Sequence, residues 1–135
     1  MQTSYFREET IGVCKQIMVV DDEVGVRQLL GIMLERAGFS VIKAGDASEA
    51  LDLLKSAEPD LFILDVMMPG MNGLELCQHI RQSPKTTHTP VLILSAKADV
   101  EDIQRGLRAG ANEYVVKPVL PRELVSKVSA VLQKA

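Results

Sequence analysis

The sequence predicts a three-layer α/β fold around one five-stranded parallel sheet. Three observations predict it. First, short apolar runs recur along the chain, at Ile17–Val20, Val41-Ile42, Leu61–Leu64, Val91–Leu94 and Tyr114–Val116. They lack polar alternation, as strands covered on both faces do. Second, the segments between them carry apolar residues at helical spacing and are long enough for right-handed crossovers. Third, most of the runs end on chemically capable side chains: Asp21-Asp22, Asp65, Ser95 and Lys117.

The elements follow in order. Ile17 to Val20 is the first strand, and Asp21-Asp22-Glu23 closes it. A helix runs from about Val24 to Ala37, with Val26, Leu29, Leu30, Met33 and Leu34 on its core face. Gly38 stops it. Phe39 to Ala44 is the second strand. Asp46 caps a second helix patterned by Ala47, Ala50, Leu51, Leu53 and Leu54, with Glu49 at capping-box spacing. Pro59 precedes the third strand, Asp60 to Leu64.

Leu74 to Gln82 is the third helix, with Leu76, Cys77 and Ile80 inward. Pro84 to Pro90 is a polar loop before the fourth strand, Val91 to Leu94. Asp99 caps a fourth helix from Val100 to Ala109, and Gly110 stops it. Glu113 to Val116 is the fifth strand. The last helix runs from Pro121, suited to a first helical turn, to about Gln133. Five strands and five helices fit a flavodoxin-like (βα)5 sandwich with strand order 2-1-3-4-5. Positions 1–16 form a polar, aperiodic N-terminal extension, flexible or docked through Tyr5 and Phe6, and 17–135 form the domain.

Composition narrows the function classes. A chain of 135 residues suits one domain with its own core. It is 47% hydrophobic and 24% charged, with a net charge of -3, so no basic excess suggests nucleic acid. The apolar runs are too short to span a membrane, and the first residues lack a signal-peptide pattern. Cys14 and Cys77 match no metal or redox spacing and are expected to be free thiols in a reducing cytosol. Only 4% of residues are aromatic, so aliphatic residues and Met carry the packing.

In the 2-1-3-4-5 order, strands one, three, four and five are consecutive neighbours. Asp21, Asp22, Asp65, Ser95 and Lys117 then converge at the carboxyl edge, where open parallel sheets gather ligands. Singly, each residue has an ordinary reading. A strand-end Asp is common turn chemistry, and Lys117 can serve as a salt bridge that holds Asp65. Together they form a pattern. Carboxylates a few ångströms apart repel by on the order of a few kcal/mol per pair near a surface. A hard cation relieves that repulsion. Mg²⁺ prefers oxygen ligands and commonly bridges one or two carboxylates to a phosphate oxygen. Lys117 and Ser95 suit the oxygens of a phosphoryl group.

On these residues the chain resembles the receiver domain of bacterial two-component response regulators. The resemblance spans Gln16 to the C-terminus. It rests on Asp21-Asp22, on Asp65-Val-Met-Met-Pro-Gly-Met-Asn-Gly, on Ser95-Ala96, and on Gly110-Ala-Asn-Glu-Tyr-Val-Val-Lys117-Pro118. It implies that Asp65 is the phosphoacceptor, attacking a phosphohistidine of a sensor histidine kinase or a histidine phosphotransfer protein. It implies Mg²⁺, with Mn²⁺ able to substitute, bound by Asp22, Asp65 and the Met67 backbone carbonyl, with Asp21 acting through water. Lys117 would pair with the phosphoryl group, the Lys117-Pro118 bond would be cis, and Ala96 would keep the approach open. Met67 and Lys97 occupy positions that influence how long the phosphoryl group survives.

The resemblance also implies a switch. Phosphorylation adds a charge of about -1.5 to -2. Ser95 would move toward it, and Tyr114 would rotate inward beneath the fourth helix. The signalling face would be the fourth helix, fifth strand and fifth helix, acting on a downstream protein or an output domain absent from this sequence. Charges there, such as Asp102, Arg105, Arg108, Arg122 and Lys127, would form a solvated face or support a homodimer. Tyr114 otherwise reads as a half-buried strand aromatic. Met67, Met68 and Met71 fill gaps around the acid loop. His79 and His88 have no phosphodonor or metal-ligand context.

The resemblance implies a cytoplasmic signalling phosphoacceptor, not an enzyme, that assists its own phosphorylation and dephosphorylation. It is expected to contact neither nucleic acid nor membrane. Rival readings separate on single features. A phosphatase of the haloacid dehalogenase type needs a general acid two residues after the nucleophile, where Met67 stands. A phosphorylation-independent interaction module would not need the intact acid, hydroxyl and amine set. A flavin binder would meet repulsion between its phosphate and the acids.

Overall fold

Every residue of Leu61–Leu64 is buried, as a parallel strand covered on both faces requires. The structure, a computed structural model, describes residues 14–134. The elements are β1 (Gln16–Val20), α1 (Val24–Arg36), β2 (Ser40–Ala44), α2 (Ala47–Leu53), β3 (Leu61–Leu64), α3 (Gly73–Gln82), β4 (Val91–Ser95), α4 (Val100–Arg108), β5 (Glu113–Val116) and α5 (Pro121–Lys134). The sheet is parallel throughout, in the order β2-β1-β3-β4-β5.

Alternate strand residues enter two cores. Met18, Val20, Phe62, Leu64, Val91, Ile93 and Tyr114 pack with Ala47 and Ala50 of α2 and Leu76, Cys77 and Ile80 of α3. Ile17, Val19, Leu61, Ile63, Leu92, Leu94 and Val115 pack with Leu30 and Leu34 of α1 and Leu124, Val128 and Val131 of α5. The two-residue period of a strand thus feeds both helical layers from one sheet.

Helix ends follow their local chemistry. Gly38 takes φ +100° after α1, and the Gly38 and Phe39 N–H groups bond the Glu35 and Leu34 carbonyls in a Schellman pattern. Asp46 caps α2 through the Glu49 N–H, but the Glu49 carboxylate accepts from Gly45 instead of Asp46, one residue short of a capping box. Asn72 and Glu75 form a full capping box on α3.

Three expectations need correction. Leu29 is 54% exposed, because the inward stripe of α1 runs through Leu30, Gly31 and Leu34. Asp99 stands at the start of α4 without a side-chain capping bond, although its charge and those of Glu101 and Asp102 suit the helix dipole. Gln16 belongs to β1, where its N–H donates to Asp60 Oδ2 at 2.7 Å. Positions 1–13 of the expected extension, with Tyr5 and Phe6, lie outside the described residues. Cys14 and Cys77 are free thiols. Among the described residues, no helix is long and apolar enough to cross a membrane.

Candidate functional site

The backbone sets the site. Val20 and Leu64 are partners across β1 and β3, so the next residues, Asp21 and Asp65, emerge side by side. The Asp65 N–H bonds the Val20 carbonyl at 3.0 Å, and the Lys117 N–H bonds the Ser95 carbonyl at 2.8 Å. This is the crevice beside β1 and β3 where the chain's winding reverses. Carboxylate oxygens of Asp21, Asp22 and Asp65 lie within 4.8 Å of one another. Asp21 and Asp65 are buried, and Asp22 is exposed.

The two buried acids are held differently. Asp21 Oδ1 accepts the Glu23 N–H at 3.0 Å, and Oδ2 accepts the Lys117 ammonium at 2.8 Å. Among the described residues, Asp65 Oδ1 accepts only a long 3.4 Å bond from the Met67 N–H, and Oδ2 lies 3.5 Å from Lys117 Nζ. Asp65 is therefore the more loosely held of the two buried acids. Burial pushes its pKa up, Lys117 opposes this, and the nearby Asp21 charge raises it again. Burial also works against the Lys117 charge. The bond to Asp21 and the charges of Asp65, Asp21 and Glu23 outweigh it, so the Lys117 pKa rises.

The loop after Asp65 is shaped by glycines. Gly70 takes φ +73° after Pro69, a turn position glycine fills without steric cost. At Gly73 a Cβ would fall 2.1 Å from the Asp65 carbonyl oxygen, so glycine alone fits. A shallow pocket of about 400 Å³ lies there, lined by Asp22, Val66, Met67, Met68, Pro69, Asn72 and Lys97. Met68 fills a core gap as expected, but the Met67 side chain is 56% exposed and does not.

Beyond the acids, Ser95 is fully buried, and its Oγ accepts the Lys97 N–H at 3.2 Å. Ala96 is exposed beside it. The Tyr114 hydroxyl donates to the Lys97 carbonyl at 2.7 Å, and the ring is buried, so Tyr114 is already turned inward. The Lys117-Pro118 peptide is cis. His79 and His88 are exposed.

Sequence reasoning missed a latch at the opposite, amino-terminal edge of the sheet. Arg81 on α3 donates Nε to the Gly110 carbonyl at 3.0 Å, one guanidinium nitrogen to Thr89 at 2.6 Å, and the other to Asn112 at 2.9 Å. It joins α3, the loop before β4 and the turn before β5. An isolated Arg on a helix carries no sequence signal for such a role.

The donor set fits a hard divalent cation. The oxygens are carboxylates, two of the acids are buried, and their mutual repulsion falls when a cation enters.

A family model for the response regulator receiver domain matches residues 17–129. The chain belongs to that family. It is 41% identical over 120 residues to the DNA-binding response regulator MtrA of Mycolicibacterium smegmatis, covering 89% of this chain and 51% of that protein. This receiver therefore spans about half the length of the curated relatives it matches. A putative response regulator from Chloroflexus aurantiacus superposes with TM-score 0.86 at 38% identity, covering 90% of this chain and 99% of that one. The chemotaxis response regulator CheY4 of Vibrio cholerae superposes with TM-score 0.84 at 34% identity, covering 88% and 99%. Receivers are the phosphoacceptor modules of two-component signalling, and the flavodoxin-like order observed here is theirs.

Proposed function

We propose that Asp65 is the residue that accepts the phosphoryl group in this receiver. One observation supports it above others. Of the two buried acids Asp65 has the weaker protein bonds, and the Lys117 ammonium stands 3.5 Å from it. A carboxylate oxygen of Asp65 attacks phosphorus of a phosphohistidine. The new P–O bond forms as the P–N bond breaks, and the electron pair returns to the imidazole of the donor.

Asp22, Asp65 and the Met67 carbonyl would hold Mg²⁺, or Mn²⁺ in its place. Asp21 has both oxygens engaged by Glu23 and Lys117, which supports a role through water. When bound, the cation supplies charge neutralisation between the acids and the phosphoryl oxygens. Lys117 neutralises a phosphoryl oxygen, and Ser95 donates its hydroxyl to another. Ala96 leaves the approach open, and Met67 and Lys97 at the rim set how readily water reaches the acyl phosphate. The receiver thereby assists both its phosphorylation and its dephosphorylation.

The donor is a sensor histidine kinase or phosphotransfer protein in the cytoplasm. The phosphorylated receiver acts through α4, β5 and α5 on a downstream protein, on an attached output domain, or on a second copy. The relative MtrA is a DNA-binding regulator of which the matched stretch is about half. For this stretch, with a net charge of -3, we keep the expectation of no nucleic-acid contact.

Intact-mass spectrometry after incubation with acetyl phosphate and Mg²⁺ tests the reading. One phosphoryl adduct is expected on the wild type and none on Asp65→Asn or without Mg²⁺. An adduct that persists in Asp65→Asn would assign the acceptor elsewhere.

A further inference from the structure

We propose that Gly106 is a positioning residue. By having no side chain it admits the Tyr114 ring beneath α4, and through that ring it holds the β4–α4 loop beside the acid pocket. The link to signalling rests on the phosphoacceptor reading above. The seat itself does not.

Gly106 is the buried residue of α4. Glycine inside a helix is disfavoured against alanine, so its presence there calls for a packing reason. The reason is Tyr114. A Cβ at position 106 would lie 2.8 Å from Tyr114 Cδ2, 3.0 Å from Cε2 and 3.0 Å from Ile93 Cδ1. The Ile93 terminal methyl can rotate away, but the planar ring cannot shrink.

The far end of the ring is fixed too. The Tyr114 hydroxyl bonds the Lys97 carbonyl at 2.7 Å, while the Lys97 N–H bonds Ser95 Oγ at 3.2 Å. Lys97 in turn lines the pocket with Asp22 and Met67. The ring is thus a strut between the underside of α4 and the loop that borders the acids. Filling the notch at 106 expels the ring, and the hydroxyl leaves Lys97. Burial also raises the Tyr114 phenol pKa, with Asp102 and Asp65 adding to the rise and Ser95 opposing it, so the seated ring has a titration signature.

The chain has two tyrosines, so in a Tyr5→Phe background the absorbance titration reports Tyr114 alone. In Gly106→Ala we expect the midpoint to fall back toward 10.0. The Lys97 carbonyl carbon shift should then move to its value in Tyr114→Phe. Lys97 amide exchange should speed up severalfold. In a Tyr114→Ala background the same substitution at 106 should change neither the carbonyl shift nor the exchange rate. An unmoved midpoint, or an effect on Lys97 that persists without Tyr114, overturns the proposal. Should Gly106→Ala fail to fold, rescue of folding by Tyr114→Ala supports it and lack of rescue overturns it. None of these readouts needs phosphate, so failure of the acceptor reading would show separately as a missing acetyl phosphate adduct.

Discussion

The Lys117 ammonium sits 2.8 Å from the Asp21 carboxylate. Asp65, at 3.5 Å, is its second partner. The lysine is anchored on one acid while remaining in reach of the other. A phosphoryl group on Asp65 can therefore recruit Lys117 without a long movement.

Asp21 holds the lysine, and in the proposed site it would act on the cation through water. Asp21→Asn is expected to weaken Mg²⁺ affinity by about 10- to 100-fold, as loss of outer-sphere partners does. Isothermal titration checks this. Wild-type affinity in the variant would remove Asp21 from the metal site.

A cation that binds the folded acids and not the unfolded chain must stabilise the fold. At a hundredfold excess over its Kd, Mg²⁺ should add about 2.7 kcal/mol. Thermal unfolding with and without Mg²⁺ measures the effect. The gain should shrink sharply in Asp22→Asn and Asp65→Asn, because each removes a charge from the cluster.

Alkaline stability follows from two raised pKa values. Lys117 stands above its ordinary 10.5, so its contribution is fully present below pH 10.5 and is lost as pH rises through the folded value. Tyr114 is held above 10.0, so the fold favours the neutral phenol and loses stability as the unfolded phenol ionises first. Both act in the same direction. Urea unfolding across pH 9 to 12, on the order of the window these values set, should show a steep decline. Lys117→Met and Tyr114→Phe should each remove part of that slope.

Gly73 packs against the backbone of Asp65. A Cβ there meets the Asp65 carbonyl carbon at 2.8 Å as well as its oxygen. Gly73→Ala is expected to cost about 1–3 kcal/mol in urea unfolding and to slow adduct formation by moving Asp65. An unchanged midpoint and rate would mean that the loop yields freely.

Much of this was legible in the residues. Uninterrupted apolar runs in β1, β3 and β4 give a parallel sheet, because strands buried on both faces cannot alternate with polar residues. The order of acids, hydroxyl and amine at the strand ends then placed Asp21, Asp65, Ser95 and Lys117 on one edge. Leu29 was misassigned because helical spacing defines a stripe but not how α1 is rotated on the sheet. The Asn72–Glu75 capping box had a readable signal at three-residue spacing and was passed over.

By itself, the sequence determined the fold class, the strand-end chemistry and the family, since these rest on periodicity and residue type along the chain. Tertiary structure decided the pairings. That Lys117 bonds Asp21 more closely than Asp65, that Arg81 latches Gly110 and Asn112, and that Gly106 opens a notch for Tyr114 all depend on contacts between distant residues. Such contacts are set by ångström-scale packing of side chains from different elements, and no local pattern along the chain records that distance.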